Sequence, residues 1–225
     1  MPKLTLYHGS QKIVSKPVFG EGKAYNDYGL GFYCTENIEL AKEWACPSAD
    51  DGFLNCYQIQ IEDLHILNLQ DKSFCTLNWL ALLVTNRRFD LDTPIMRQGL
   101  FYLTNNFLPD ISNYDVIKGY RADDSYFSFA KAFLSNQISY DQLCKSMKLG
   151  NLGEQFVLKS KKAFELIEFT GYQIVDGKKY FALRQDRIKQ AKDDYQKTVN
   201  DADLSGLYIR DLILQEVKKD DSRLR

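Results

Sequence analysis

Two segments near the start of the chain place reactive or ligand-binding groups at the ends of predicted strands. Residues 4–10 alternate apolar and polar side chains and end in His8-Gly9-Ser10, which predicts a strand that presents an imidazole beside a glycine backbone. A planar ligand can approach such a backbone closely, because glycine has no Cβ. Residues 29–33, Gly-Leu-Gly-Phe-Tyr, predict a glycine turn and then a strand that carries the ring of Tyr33.

In this order, the two segments resemble the NAD-binding half of the ADP-ribosyltransferase superfamily, in the branch with diphtheria toxin and the poly(ADP-ribose) polymerases. There a His-Gly pair on the first core strand is followed by Gly-x-Gly-x-Tyr and a helix of small residues. The resemblance is strongest to a little-characterised bacterial family of this fold. It extends over nearly the whole chain, through segments similar to residues 121–124, 155–158 and 208–211.

The resemblance implies that NAD is a substrate of this chain and assigns roles to five residues. His8 would hold a ribose hydroxyl, Gly9 would pair through its backbone with the nicotinamide amide, and Tyr33 would stack on the nicotinamide ring. Ser10 and Gly31 complete the expected set of residues that contact NAD.

A third segment, residues 153–160, matches the strand on which the superfamily carries its catalytic carboxylate. Here Glu154 and Gln155 are adjacent. An amide can bind a hydroxyl but supplies no full negative charge to a developing cation. A one-residue change of register reverses which side chain faces the ligand. We expect Gln155 to point into the cleft and Glu154 to support it from the strand entrance, with the opposite register as the alternative.

Both early segments also have purely structural interpretations. A histidine often ends a strand, and a glycine turn often leads into a core strand. The order and separation of the two segments favour the functional interpretation. A Rossmann site is excluded, because that fingerprint needs a third glycine and a helix directly after the turn.

Composition sets broad limits on the class of protein. A chain of 225 residues with 44% hydrophobic residues predicts one domain of ordinary size with a buried core. Lys and Arg total 29 against 30 Asp and Glu, so no overall field would recruit nucleic acid or an anionic membrane.

Cysteine usage and hydropathy bear on the compartment. The five cysteines include no Cys-x-x-Cys pair, which argues against a disulfide framework and a zinc site. The N-terminus shows no apolar signal core, and the longest apolar run, residues 79–84, is too short to cross a bilayer. We expect a cytoplasmic protein without a membrane partner, or an effector delivered without a classical signal peptide.

Periodicity predicts the elements that position these residues. Thr35 is predicted to cap a helix over 36–45, and Arg87-Arg88 to be a solvated helix end. Asp176-Gly177 predicts the turn of a hairpin over 172–183. Further strands are predicted over 55–61, 64–69 and the segment that starts at 114, and further helices over 73–87, 96–105, 125–134, 140–148, 159–169, 184–199 and 207–216.

Three other polar groups have weaker claims to function. Asp123-Asp124 predicts a helix N-terminus, and two adjacent aspartates make a poor metal site, so no metal is expected. His65 lies in an apolar alternation and is predicted to be structural. Gln215-Glu216 resembles the carboxylate element of toxin transferases only superficially, which leaves Glu216 as an alternative catalytic carboxylate.

These inferences predict one α+β domain over residues 1–225. We expect a split, bent, antiparallel-rich sheet of the ADP-ribosyltransferase type, with inserted helices and a helical C-terminal portion from about residue 184. The expected activity is transfer of mono-ADP-ribose from NAD to a protein or nucleic-acid acceptor, as in bacterial toxins and effectors. The alternatives are a module that binds NAD or ADP-ribose without turnover, and a NAD glycohydrolase.

Overall fold

The chain forms an α+β fold built on two small sheets. The structure, a computed structural model, describes residues 3–88, 90–122, 124–147 and 153–224. Within these residues the chain forms seven strands and eight α-helices. The α+β class expected from the sequence is therefore confirmed.

The first sheet has three antiparallel strands in the order β1-β3-β7. They are β1 (Lys3–Ser10), β3 (Gly52–Gln60) and β7 (Ile167–Val175). Buried and partly exposed residues alternate along most of β3, because successive side chains of a strand point to opposite faces. The central strand β3 thus packs apolar side chains on one face and carries Asn55, which is fully buried, near the end of β1.

The second sheet has four strands in the order β2-β6-β5-β4. They are β2 (Phe32–Cys34), β6 (Glu154–Leu158), β5 (Val116–Tyr120) and β4 (Ile66–Asn68). Only β4 and β5 pair in parallel. The two sheets meet at one backbone bridge, in which Tyr7 and Thr35 exchange two hydrogen bonds of 2.8 and 2.9 Å.

The helices cover the sheets and extend the core. They are α1 (Ile38–Ala45), α2 (Thr76–Asn86), α3 (Pro94–Phe107), α4 (Asp124–Leu134), α5 (Tyr140–Ser146), α6 (Lys161–Leu166), α7 (Gly177–Asn200) and α8 (Ile209–Leu214). Helix α2 lies at the centre of the largest apolar cluster, with eight buried residues in succession from Leu77 to Val84. Ile209 and Leu212 bury the apolar side of α8 in the same cluster, so the C-terminal helices share this core.

The cap predicted for the first helix is wrong. Asn37 caps α1, because its side-chain oxygen accepts a hydrogen bond of 3.1 Å from the backbone N–H of Leu40. Thr35 remains in extended backbone, where it makes the bridge between the sheets. Its hydroxyl accepts instead from the N–H of Asn37 at 3.1 Å.

The predicted hairpin over 172–183 is also wrong. Asp176 is the N-cap of α7 and accepts a hydrogen bond of 3.1 Å from the N–H of Lys179. The Asp-Gly pair therefore starts a helix, and the C-terminal helical portion begins at Gly177 rather than near residue 184. The helix predicted over 159–169 is shorter than expected, because β7 already begins at Ile167.

Candidate functional site

A cavity of about 710 Å³ opens between the end of β1 and the start of β2. Its lining includes all of the residues predicted to contact a ligand, which come from β1, from the turn before β2, from β2 itself and from β6. They are His8, Gly9, Ser10, Gly31, Tyr33 and Gln155. Its size falls within the range of roughly 300–1,000 Å³ that is usual for small-molecule and cofactor sites.

The end of β1 offers an unpaired backbone edge to this cavity. The N–H and C=O of Tyr7 both bond Thr35, and these groups alternate between the two edges of a strand. The N–H and C=O of Gly9 therefore point to the same edge as those of Tyr7. Tyr7 and Thr35, the residue after β2, form the single bridge described between β1 and this segment, so Gly9 faces the space where β1 and β2 diverge.

Gly9 is also required by packing. A Cβ at this position would lie 1.8 Å from the carbonyl oxygen of Ala41 and 2.6 Å from the backbone nitrogen of Ala45. Helix α1 therefore lies directly against β1 at this glycine. The close approach brings Trp44, which is on α1, into the cavity wall.

His8 is held as a neutral acceptor. Its Nδ1 lies 2.7 Å from the carbonyl oxygen of Tyr33. Because a carbonyl only accepts, Nδ1 carries the proton and Nε2 keeps a lone pair. The ring packs on Phe32 with a centroid separation of 4.6 Å. Burial lowers the pKa of His8, which favours the neutral form.

Tyr33 fixes the glycine turn while its ring lines the cavity. Its hydroxyl donates to the carbonyl of Gly29 at 2.6 Å and accepts from the N–H of Tyr28 at 3.1 Å. Gly29 has a φ of +72°, a left-handed conformation that favours glycine. Burial raises the pKa of Tyr33, so the hydroxyl stays protonated.

Gln155 reaches the back of the cavity and is only 5% exposed. Its Nε2 donates to Oδ2 of Asp27 at 3.2 Å. An ionised carboxylate only accepts, so the amide nitrogen must face Asp27 and the amide oxygen must face away from it. That oxygen, Oε1, is buried and has no hydrogen-bond partner among the described residues.

Asp27 and Arg87 are functional candidates that the sequence analysis missed. Asp27 is 3% exposed and accepts from Arg87 Nε and the N–H of Ala122, each at 2.8 Å. Burial raises the pKa of Asp27, and the adjacent guanidinium opposes that shift. Arg87 was expected to be a solvated helix end and is instead a partly buried ion-pair partner. The position of Asp27 directly before the glycine turn was the available signal.

The other two candidate carboxylates do not line the cavity. Glu154 is 2.9 Å from Nζ of Lys118, which also binds Glu36 at 3.0 Å. Neighbouring residues of β6 face opposite sides, so Glu154 points away from the side that Gln155 occupies. Glu216 is exposed and follows α8, outside the described lining.

The cavity wall carries excess positive charge although the whole chain has a net charge of −1. Among the described residues that line it, five are cations, namely Lys16, Lys23, Arg87, Arg121 and Arg184, and two are carboxylates, Glu21 and Asp27. The ion pair between Arg87 and Asp27 cancels one charge of each sign. A wall rich in cations favours an anionic ligand over a cationic one.

The rim of the cavity is a loop over residues 11–26 that β3 holds in place. Asn55 Oδ1 accepts from the N–H of Val14 at 2.8 Å, and its Nδ2 donates to the carbonyl of Lys12 at 3.1 Å. The hydroxyl of Tyr57 donates to the carbonyl of Val14. Two polar groups of one strand thus determine the path of the rim.

Metal and membrane features can be stated for the part of the chain whose side chains the structure describes. No cluster of three or more His, Cys, Asp or Glu side chains suited to a metal ion occurs there. Asp123 and the side chain of Asp124 lie outside the described part of the chain. No described helix is both long and apolar enough to span a bilayer. His65 is exposed, with Nδ1 3.4 Å from the carbonyl of Asn113.

No curated protein and no solved structure shows a significant match to this chain. One protein family does match, over residues 4–169, which is 166 of the 225 residues. The match covers β1 to β6 and most of the cavity lining, and it ends within β7. The chain therefore belongs to the family described as "Protein of unknown function (DUF3990)".

Proposed function

We propose that this cavity binds NAD and that the protein is an NAD-dependent mono-ADP-ribosyltransferase acting on a protein or nucleic-acid acceptor, as toxins and effectors do. An ADP-ribosyltransferase-like split of the two sheets is part of this proposal. The observation that carries it is the divergence of β1 and β2 after the Tyr7–Thr35 bridge. This divergence exposes the backbone of Gly9 beside Tyr33 and Gln155.

The ligand groups of NAD suit the groups that line the cavity. A primary carboxamide carries a donor and an acceptor, and it can pair with the N–H and C=O of Gly9. The ring of Tyr33 offers a face for a planar pyridine ring. The cationic lining suits the diphosphate, which carries the negative charge of the dinucleotide.

The proposed chemistry places positive charge on the ribose as nicotinamide leaves. The Nε2 of His8 and the Oε1 of Gln155 are acceptors that can orient the ribose hydroxyls. Groups that bind more strongly in the transition state raise the rate. An amide dipole stabilises the cation less than a carboxylate does. The buried carboxylate of Asp27 accepts from the amide and thereby orients its oxygen.

A second candidate function is binding of NAD or ADP-ribose without turnover. The neutral side chain of Gln155 favours it, because the resemblance places a carboxylate at that position. A NAD glycohydrolase would use the same site with water as the acceptor. These functions share the cavity and differ only in the fate of the ribose.

Calorimetric titration of NAD tests binding. Tyr33→Ala should weaken NAD binding about fivefold, since stacking on one aromatic ring contributes on the order of 1 kcal/mol. Tyr33→Phe is the matched control, because it keeps the ring and removes only the hydroxyl that holds the turn. The NAD proposal fails if the wild type does not bind, or if Tyr33→Ala binds as tightly as the control.

Transfer of label from radioactive NAD to a cell lysate tests turnover. Nuclease treatment and protease treatment of the product identify the acceptor as nucleic acid or protein. Gln155→Ala should reduce transfer. Glu154→Ala should reduce transfer more than Gln155→Ala does only if the carboxylate of Glu154 takes part in the reaction. Loss of transfer in Glu216→Ala, with both β6 variants active, would move the chemistry to the C-terminal segment. Binding of NAD without any transfer or hydrolysis would support the second candidate function, binding without turnover.

A further inference from the structure

We propose that Trp44, Arg121 and Arg184 form an anion subsite in the cavity wall that binds a phosphate or diphosphate group. The three residues come from α1, from the segment after β5 and from α7, and all three line the cavity. The anion chemistry of this subsite is independent of the proposed function. That the subsite binds the diphosphate of a dinucleotide rests on the proposed function.

The indole of Trp44 supplies an unsatisfied donor. Its Nε1 is buried and has no hydrogen-bond partner among the described residues. An indole N–H can only donate, and a buried donor without a partner costs free energy. A ligand oxygen in the cavity would satisfy it. The unpaired donor therefore points to an acceptor group in the ligand.

Two guanidinium groups also line the cavity, and Arg184 lies between two residues of α7 that bond α1, Tyr180 and Arg187. The guanidinium carbon of Arg121 lies over the ring of Trp44, 4.6 Å from its centroid, a cation–π contact that holds the guanidinium group beside the indole. Arg184 lies on α7 and makes no hydrogen bond or ion pair within the described part of the chain. Of the two carboxylates among the described lining residues, Asp27 is already paired with Arg87.

This donor set matches a phosphate better than a carboxylate, because two guanidinium groups and an indole N–H offer more donors than the two oxygens of a carboxylate can accept from together. Guanidinium forks bind phosphate oxygens with two parallel hydrogen bonds, and the indole N–H provides a further donor. Two sources could supply such a group. One is the diphosphate of a bound dinucleotide, and the other is a backbone phosphate of a nucleic-acid acceptor. Arg184 lies outside residues 4–169, the segment that matches the family, whereas Trp44 and Arg121 lie within it.

Inorganic pyrophosphate is a direct probe of the subsite. Calorimetric titration should show binding to the wild type and affinity lowered about tenfold in both Trp44→Phe and Arg184→Gln, since each variant loses a donor to a charged oxygen. Arg210→Gln, which removes an exposed arginine of α8, should bind as the wild type does. Unchanged thermal unfolding midpoints confirm that the variants fold, and Arg184→Lys is the substitute if Arg184→Gln does not.

The same titration in saturating NAD distinguishes the two sources. Competition would show that the subsite holds the diphosphate of the dinucleotide, whereas unchanged affinity would assign it to an acceptor phosphate. Absence of pyrophosphate binding, or equal binding by wild type and both site variants, would overturn the subsite. Binding of pyrophosphate without binding of NAD would instead overturn the proposed function and leave the subsite standing.

Discussion

The amide of Gln155 donates a buried hydrogen bond of 3.2 Å to the carboxylate of Asp27 at the back of the cavity. This relationship determines the orientation of the amide, because the carboxylate can only accept. The amide oxygen is thereby left as the group available to a ligand. The role of Gln155 in ligand binding therefore depends on Asp27, a residue 128 positions earlier in the chain.

The Gln155→Glu variant is expected to become less stable than wild type as pH rises. The new carboxylate would lie beside that of Asp27, and two close buried carboxylates cannot both ionise at little cost, so the pKa of the pair in the folded protein is raised. The folded state then retains protons that the unfolded chain releases, and stability is lost as pH rises through the raised pKa. We expect a loss of about 2 kcal/mol at pH 8 relative to wild type. Urea unfolding between pH 5 and 8 measures it.

The double variant Asp27→Asn/Gln155→Glu is the control for this effect. It removes the like charge and should recover most of the lost stability. If turnover depends on charge at this position, NAD hydrolysis should also rise in the double variant above that of wild type. An equal loss in the single and double variants would show that the two side chains are not coupled.

Gly9→Ala should destabilise the protein whether or not a ligand binds. The added methyl group would lie 1.8 Å from the carbonyl oxygen of Ala41, so α1 must shift away from β1. We expect a loss of about 2–3 kcal/mol, typical of overpacking. Gly20→Ala is the comparison, because nothing lies within 4 Å of the new atom and only its φ of +86° opposes it, at a cost of about 1 kcal/mol. Thermal unfolding without ligand should rank the two variants in this order, and the reverse order would contradict the close approach of α1.

His8 should make stability depend on pH near neutrality. Burial lowers its pKa in the folded protein below the ordinary 6.5, so the unfolded chain takes up a proton first as pH falls. The stability contributed by His8 is therefore present above pH 6.5 and is lost as pH drops toward the lowered value, by up to about 1.4 kcal/mol per pH unit. Unfolding free energies between pH 5 and 8 measure this slope.

The two histidines of the chain allow a matched comparison. His8→Asn should flatten the slope below pH 6.5, whereas His65→Asn, which changes an exposed residue, should leave it as in wild type. A slope that persists in His8→Asn would mean that another group takes up the proton.

Asn55→Ala should release the rim loop while leaving the fold intact. The substitution removes the acceptor for the N–H of Val14 and the donor to the carbonyl of Lys12. The loss of these partly buried hydrogen bonds costs about 1 kcal/mol each, which favours open states of the loop. Trypsin should then cleave faster after Lys12 and Lys23. Asn200→Ala, at the exposed end of α7, is the control and should be cleaved at the wild-type rate.

Local sequence patterns were sufficient to predict the α+β class and most of the elements. Alternation identified the strands around Asn55 and Leu67, and the apolar stripe of residues 73–87 identified the buried helix α2. These predictions succeeded because periodicity reports which face of an element is buried. The predictions failed where one short sequence is compatible with two different structures. Asp176-Gly177 can form a turn or start a helix, and side-chain capping of α7 decided the outcome.

The sequence also identified His8, Gly9, Tyr33 and Gln155 as residues of one candidate site, but it could not show what holds them there. The tertiary structure alone brings Asp27, Arg87 and Gln155 together, from a loop, a helix end and a strand. It alone shows that Gly9 is needed by the packing of α1 as well as being placed to meet a ligand. Burial and long-range contacts determine these relationships, because charge pairing and steric exclusion act between atoms that are close in space and distant in the chain.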